Sequence, residues 1–364
     1  MHDDYETCVS WISDDQSAYQ LFQAGHDVWL GYRRGTLGSD ANDNNLSEED
    51  YWNYNIQSVG EEDITAMVYE ILSERASEGQ DCEKVGIVAK SLAAAETLAA
   101  ASAYPIDFAK NVSVVQTVAP CVVCKLADYE ADARRLAADK IHRALYAGTF
   151  WDDVGTLCSA YPDVCFDYCD FFPDDCDTFC GFYPEFCRPE KVDDFLDFIR
   201  AMKSQGYYAL FKDDEGGDDW DTKVNNVCPS LYDGRWCQFI EDSVGQDYPA
   251  FSLTQWEHLF QQSFKGEFDS FSETWFTDGW LDETDVADID VSGVTTNFFN
   301  NYPLSDETCN TEKTKAVLDG VPPGFNNQWT TNELNSSTAG FVSALSAFLP
   351  DMDFDCDVEP TWDE

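Results

Sequence analysis

Positive charge is scarce in this chain. Its 364 residues include 21 lysines and arginines against 70 aspartates and glutamates, which gives a formal net charge of -49 at pH 7. A surface this acidic repels polyanions, so we expect neither nucleic acid nor an anionic membrane surface as a direct partner. The charge favours divalent cations, basic proteins, saline surroundings or an acidic compartment. A solvated, very soluble surface is the alternative interpretation.

Long apolar runs are also missing. No stretch approaches the ~18 apolar residues of a membrane span, and residues 1–6 lack the basic start and apolar core of a signal peptide. What the chain does have is 14 cysteines and Asn-x-Ser sequons at Asn45, Asn111 and Asn335, which indicate an oxidising secretory route. We therefore predict a glycosylated extracellular or cell-surface protein, with an acidic vacuole or lysosome as the alternative.

A strand, a sharp turn and a helix are predicted around Ser91. Val85–Ala89 is a short apolar, β-branched run, and an alanine-rich run of high helix propensity begins at Ser91. In α/β-hydrolases a Gly-x-Ser-x-Gly turn of this kind raises the nucleophilic serine above the sheet. Here Ala89 and Ala93 replace both glycines, and their Cβ atoms are expected to make the tight turn harder to adopt. An ordinary serine at a strand–helix corner is the alternative.

A second stretch resembles one family specifically. Residues 23–35 read QAGHDVWLGYRRG, which is similar to the AGYDVWLGNSRG signature of the acid lipases, the gastric and lysosomal lipases. Further similar blocks lie at His2 with Trp11-Ile12, at 46–52, at 63–66 and at 253–271. The resemblance covers residues 2–310 in scattered blocks. It implies an α/β-hydrolase fold that lacks its first strands and carries a helical, disulfide-rich cap after strand 6.

The resemblance also implies domain boundaries. Residues 1–126 and 287–349 would form the two parts of the α/β core, 127–286 the acidic, cysteine-rich cap, and 350–364 an acidic tail. The family's strands 4 to 8 would fall on His26–Gly31, Val85–Ala89, Val112–Ala119, Asp290–Phe299 and Trp329–Leu334.

Strand 3 of that sheet would lie between the first two of these strands, and it is absent from the sequence. Without it two central strands would face each other with unpaired backbone amides. We therefore predict an incomplete N-terminus whose strands complete the sheet, or a protein partner that does so.

Residues 192–206 in the predicted cap are helical in pattern. The predicted cap also contains a repeat of period 11, in which an aromatic-Pro-acid turn stands between two cysteines. Because these loops are short, we predict that most of the six cysteines pair among themselves. They are Cys158, Cys165, Cys169, Cys176, Cys180 and Cys187. A further motif, Cys121-x-x-Cys124, can be redox-active or half a metal site. No second pair stands at zinc-finger spacing, so structural disulfides are the predicted role.

Close carboxylates around a Gly-Gly pair at 216–217 suit a hard cation such as calcium. The candidate ligands are Asp213, Asp214, Asp218 and Asp219. A solvated acidic loop is the alternative, and no other cofactor is expected.

Ester hydrolysis by this fold requires a serine, a histidine base and an acid that orients the histidine. The resemblance places Ser91 at the nucleophile position and Asn301 at the acid position. The family's base would fall near residues 338–341, but no histidine follows His258. Carboxylates at Asp3 and Asp4 would also stand where the oxyanion forms, which opposes the chemistry.

Three further residues are candidates for binding. His2 and His258 resemble family residues near the cleft, although a structural histidine is the alternative for both, and Lys90 adjoins Ser91. Among so many acids Lys90 should keep its proton, so it is not expected to act as a base. We predict a catalytically inactive, acid-lipase-like protein that serves as an extracellular or surface structural or binding component, with lipid as a candidate ligand. The alternative is a secreted or lysosomal-type lipid ester hydrolase using Ser91.

Overall fold

The computed structural model describes residues 17–36, 39, 45–79, 84–124, 194–210, 220–227, 250–272, 287–302, 309–321 and 329–330. They fall into two compact units. The sheet unit contains the described residues of 17–124, 208–210 and 250–330, and the helical unit contains 194–207 and 220–227. Residues 250–272, which the sequence analysis assigned to the cap, therefore belong to the sheet unit.

The described residues form six strands: β1 Val85–Lys90, β2 Val112–Val118, β3 Ala209–Leu210, β4 Phe251–Ser252, β5 Asn297–Asn301 and β6 Trp329–Thr330. The helices are α1 Ser17–Gln23, α2 Glu48–Trp52, α3 Ile56–Ser58, α4 Thr65–Ser77, α5 Leu92–Ala103, α6 Pro105–Asn111, α7 Asp194–Ser204, α8 Trp220–Val227, α9 Leu253–Lys265 and α10 Thr311–Leu318. A π-helical segment, Val59–Ile64, joins α3 to α4, and a 3₁₀ turn, Val291–Gly293, precedes β5.

The centre of the sheet unit is a four-stranded parallel sheet in the order β1-β2-β5-β6. β1, β2 and β6 begin where the sequence predicted strands. β5 begins seven residues later than the predicted Asp290, because the Asp290 side chain accepts a hydrogen bond from the Ser292 amide and starts a 3₁₀ turn. The molecule is thus an α/β protein with a parallel sheet, as predicted.

The strand predicted at His26–Gly31 is wrong. These residues have no regular secondary structure, although Val28 packs beside Val88 and Val118 around Leu21. Strands exist through the ladder bonds that they share with a neighbour, and no described strand pairs with the outer edge of β1. The segment around Val28 therefore packs beside residues of the sheet without joining it.

Small residues let the helices of the sheet unit approach closely. Five alanines of α5, at positions 94, 95, 99, 100 and 101, are no more than 1% exposed. The π-helical segment places Gly60 against this helix, where a Cβ would overlap the backbone carbonyl of Glu96. The alanine-rich run that predicts a helix thus also provides the smooth surface on which the neighbouring helix packs.

The start of α9 is fixed to the rest of the sheet unit through Ser252. This buried residue caps the helix by accepting a hydrogen bond from the Gln255 amide. Its Oγ also lies 2.6 Å from the carbonyl oxygen of Trp52 and 2.9 Å from that of Tyr54. These contacts explain why 250–272 belongs with the sheet and not with the predicted cap.

The helical unit contains α7, which the sequence predicted at 192–206, and α8. Ile199, Met202 and Val227 are fully buried. Lys223 lies 5.3 Å above the Tyr207 ring, and the Asn226 side chain donates to the Tyr207 hydroxyl. No helix in the described ranges is long and apolar enough to cross a membrane.

Candidate functional site

The backbone at Ser91 is strained. Ser91 follows the last residue of β1, precedes the first residue of α5, and has φ 54° and ψ −122°. A residue with a side chain rarely adopts such a conformation, which costs on the order of 1–3 kcal/mol and persists only where its surroundings enforce it. The chain therefore turns from strand to helix within one residue, with a half-buried serine at the corner.

Both backbone polar groups of Ser91 are used to hold this turn. Its amide donates to the carbonyl of Val118 at 3.0 Å. Its carbonyl accepts from the amides of Ala94, at 3.1 Å, and Cys121, at 3.0 Å. The turn after β1 is thus tied to the turn after β2, where Ala119 also has a positive φ of 45°.

The alanines that replace the two family glycines do not prevent this turn. Neither Ala89 nor Ala93 has a positive φ, because Ser91 itself adopts the strained conformation. Ala89 is 2% exposed and packs within the sheet unit. The strained backbone conformation is thus at the serine, and the two alanines have ordinary backbone angles.

The sheet brings the predicted nucleophile and acid positions to the same edge. Asn301 ends β5 and is in register with Val118, the residue whose carbonyl accepts the Ser91 amide. Because parallel strands end at the same edge, the backbones of Ser91 and Asn301 lie at the carboxyl end of the sheet, on strands separated by β2. Lys90 is exposed at the end of β1.

His258 occupies a different environment. It is completely buried on α9, and its Nε2 lies 2.8 Å from the backbone oxygen of Asp269. Burial lowers the pKa of His258 to about 4, although the bond to Asp269 acts in the opposite direction. The ring is therefore neutral at physiological pH, and it packs as a structural histidine, the alternative that the sequence had left open.

A buried polar contact of Glu96 was not predicted from the sequence. Glu96, on α5, is 2% exposed and accepts hydrogen bonds from Arg33 at 2.6 Å and from the side-chain amide of Gln255 at 2.8 Å. The Arg33 guanidinium also lies 5.7 Å above the ring of Phe251. In the sequence, the features that could have indicated this contact are the single glutamate within the alanine run, Glu96, and the arginine in the 23–35 signature, Arg33.

Three carboxylates also approach one another. Oxygens of Glu267, Asp269 and Asp288 lie within 4.8 Å of each other, and an isolated bridge joins Asp269 to Asp288. Acidic groups often approach in this way without an ion. The cluster is separate in sequence from the predicted calcium loop.

Two of the three described cysteines, Cys121 and Cys124, lie in the loop after β2. Cys121 forms a disulfide with Cys309, 188 positions further along the chain. The Sγ of Cys124 lies 3.3 Å from that of Cys121. The predicted role of Cys121 in a structural disulfide is consistent with this pairing, which spans far more of the chain than the Cys-x-x-Cys motif itself.

Several predicted site residues lie outside the described residues. They are His2, the calcium candidates Asp213, Asp214, Asp218 and Asp219, and the six cysteines of the cap repeat. The predicted position of the family's base, near residues 338–341, and the acidic tail also lie outside them. Within the described ranges the histidines are His26 and His258, and neither is near the end of β6 in sequence.

No protein-family model matches the chain, and no curated protein matches its sequence.

Proposed function

We propose that this chain is an acid-lipase-like α/β-hydrolase that has kept the nucleophile turn and lost ester hydrolysis, and that it acts as an extracellular or surface binding or structural component. The observation that carries the proposal is the backbone of Ser91. Strain on the order of 1–3 kcal/mol at a single serine, between a parallel strand and a helix, is typical of the nucleophile turn of that fold.

The order of the strands also supports this fold. β1, β2, β5 and β6 are adjacent and parallel in the order of the chain, as strands 5 to 8 of the α/β-hydrolase sheet are. The long interval between β2 and β5 falls where the family inserts its cap. β1 is the end strand of the described sheet, so its outer edge leaves room for the further strand that the resemblance implies.

Two observations favour the loss of hydrolysis. Asn301, at the acid position, has an amide that carries no charge with which to stabilise a protonated base. His258 is held in the core by Asp269 and has a depressed pKa, so it does not provide the missing base. An unassisted serine hydroxyl is a poor nucleophile at neutral pH.

The hydrolase alternative is favoured by the same strained turn. Such strain reduces stability, and it clusters at active sites where it contributes to the mechanism. The N-terminus of α5, directly after Ser91, would also place a backbone amide at Leu92 near a developing oxyanion. A base from outside the described residues would then complete the site.

The decisive experiment measures turnover that depends on Ser91. Purified wild-type protein, Ser91→Ala and a control, Ser102→Ala, are incubated with short- and long-chain nitrophenyl esters at acid and neutral pH, and with a fluorophosphonate probe. Ser102 lies on the same helix, and its hydroxyl donates to the carbonyl of Leu98. We expect equal background hydrolysis in all three and no label on Ser91. Activity that Ser91→Ala abolishes and Ser102→Ala retains would establish the hydrolase instead.

The secretory assignment can be tested at its sequons. Asn45 is exposed, whereas Asn111 is 4% exposed and its amide donates to the carbonyl of Asp107. A bulky glycan suits the first position and is sterically incompatible with the folded structure at the second. Peptide mapping of protein from a secreting eukaryotic host should find glycan at Asn45 and none at Asn111. Exported protein without any glycan at Asn45 would contradict the predicted use of this sequon.

A further inference from the structure

Three cysteines lie close together beside the loop that follows β2. Cys121 is bonded to Cys309, and the Sγ of the buried thiol Cys124 lies 3.3 Å from the Sγ of Cys121. A backbone bridge also joins Cys124 to Cys309. The Cys124 thiol therefore lies next to one sulfur of the disulfide, and Cys309, which holds the other sulfur, is on the segment bridged to Cys124.

We propose that Cys121, Cys124 and Cys309 form a thiol–disulfide exchange unit with two covalent states. The Cys124 thiolate attacks the Sγ of Cys121, so that a Cys121–Cys124 bond forms and the Cys121–Cys309 bond breaks. The electron pair leaves with the Sγ of Cys309, which takes up the proton that Cys124 lost. One disulfide and one thiol are present before and after, so no oxidant or reductant is consumed.

Hydrogen bonds of neighbouring residues hold the segment of Cys309 against the loop after β2. The amide of Asn310 donates to the carbonyl of Val123 at 2.8 Å, and the amide of Val123 donates to the Thr314 hydroxyl at 3.0 Å. Neither bond depends on the disulfide itself. Cys309 therefore stays beside the loop after its bond breaks, and the reverse attack restores the first state.

The exchange would change how the strained turn is held. The amide of Cys121 donates to the carbonyl of Ser91. In one state Cys121 is tied to a segment 188 positions away, and in the other it closes a four-residue loop within its own turn. The unit therefore provides two covalent settings for the loop that fixes Ser91, whether or not Ser91 has a catalytic role.

Disulfide mapping tests the exchange directly. Wild-type protein without added thiol is held at pH 6 or pH 8 for increasing times, quenched in acid, denatured, alkylated with N-ethylmaleimide and digested. Because the thiolate is the nucleophile, we expect exchange at pH 8 to outpace that at pH 6. Alkylation of Cys309 should rise by the same amount as alkylation of Cys124 falls, with a matching gain in the Cys121–Cys124 peptide.

The control is Cys124→Ser, which should keep the Cys121–Cys309 bond and show no alkylation of Cys309 at any time. A single pairing in wild-type protein at every time and both pH values, whichever pairing it is, overturns the proposal. Alkylation of Cys309 in the control equal to that in wild type also overturns it, since the thiol would then come from elsewhere.

Discussion

The surroundings of Ser91 maintain a strained backbone, whereas those of His258 bury a neutral ring. Ser91 is half-buried at the end of a strand, and hydrogen bonds to the end of β2, to the turn after β2 and within α5 hold its strained backbone. His258 is fully buried, its ring bonds a backbone carbonyl, and its pKa is depressed. The first environment preserves a geometry that has a stability cost, whereas the second uses a histidine as part of the core. The strained turn at Ser91 is therefore maintained, whereas His258 contributes to the core as a neutral ring.

The largest expected effect on stability comes from removing the Cys121–Cys309 disulfide, whose Cys121 amide donates to the Ser91 carbonyl. Closing a loop of 188 positions restricts the unfolded chain, so Cys309→Ser should lower the free energy of unfolding by about 4–5 kcal/mol. Urea unfolding under non-reducing conditions measures this loss. Cys124→Ser is the matched control and should lose much less. Equal losses in both variants would show that packing of the cysteines, and not the disulfide, supports the turn.

Acid should lower the free energy of unfolding through His258. The pKa of His258 is about 4 in the folded protein, against an ordinary value of 6.5 for histidine. As pH falls, this histidine is protonated in the unfolded chain before it is protonated in the folded protein, so stability is lost between about pH 6.5 and pH 4. By linkage the free energy of unfolding falls by about 3 kcal/mol over this range. His258→Gln should lack this component, which appears as the difference between its urea unfolding curves and those of wild type at pH 7, 6, 5 and 4.

The control is His26→Gln, measured at the same four pH values, because His26 is only half-buried. The other acidic groups are common to all three proteins and cancel in the differences. A wild-type minus His258→Gln difference that does not change with pH would mean that the histidine is not buried as described.

Close packing under the strained turn predicts the third effect. A methyl group at Gly60 would overlap the Glu96 carbonyl on α5, so Gly60→Ala should destabilise the protein by about 2–3 kcal/mol. Gly79, which has open space around it, offers a position for comparison, although its positive φ adds a strain of its own. Thermal unfolding measures both variants. Gly60→Ala at wild-type stability would contradict the close approach of the two helices.

The smallest effect has the opposite sign. Ser91→Gly removes the Cβ from a residue with φ 54° and should raise stability by about 1 kcal/mol, whereas Ser91→Ala keeps the strain and should change it little. Paired urea unfolding curves distinguish the two. If glycine destabilises the protein, the unfolded-state entropy that glycine adds outweighs the strain, and Ser91 is less strained than its angles indicate.

Local sequence by itself determined the elements around Ser91. A β-branched run specifies β1, and the alanine run specifies α5, because these preferences depend on each residue and its near neighbours. The same reasoning located α7. It also placed Ser91 between a strand and a helix. The parallel order of the strands followed only from a family resemblance.

Tertiary structure decided the rest. Residues 26–31 have the composition of a strand, but strand formation requires a partner, and the described part of the chain provides none. The positive φ at Ser91, the burial of His258 and the pairing of Cys121 with Cys309 each depend on groups distant in sequence. Propensity and spacing describe what a residue prefers locally, whereas strain, burial and disulfide partners are set by the segments that fold against it.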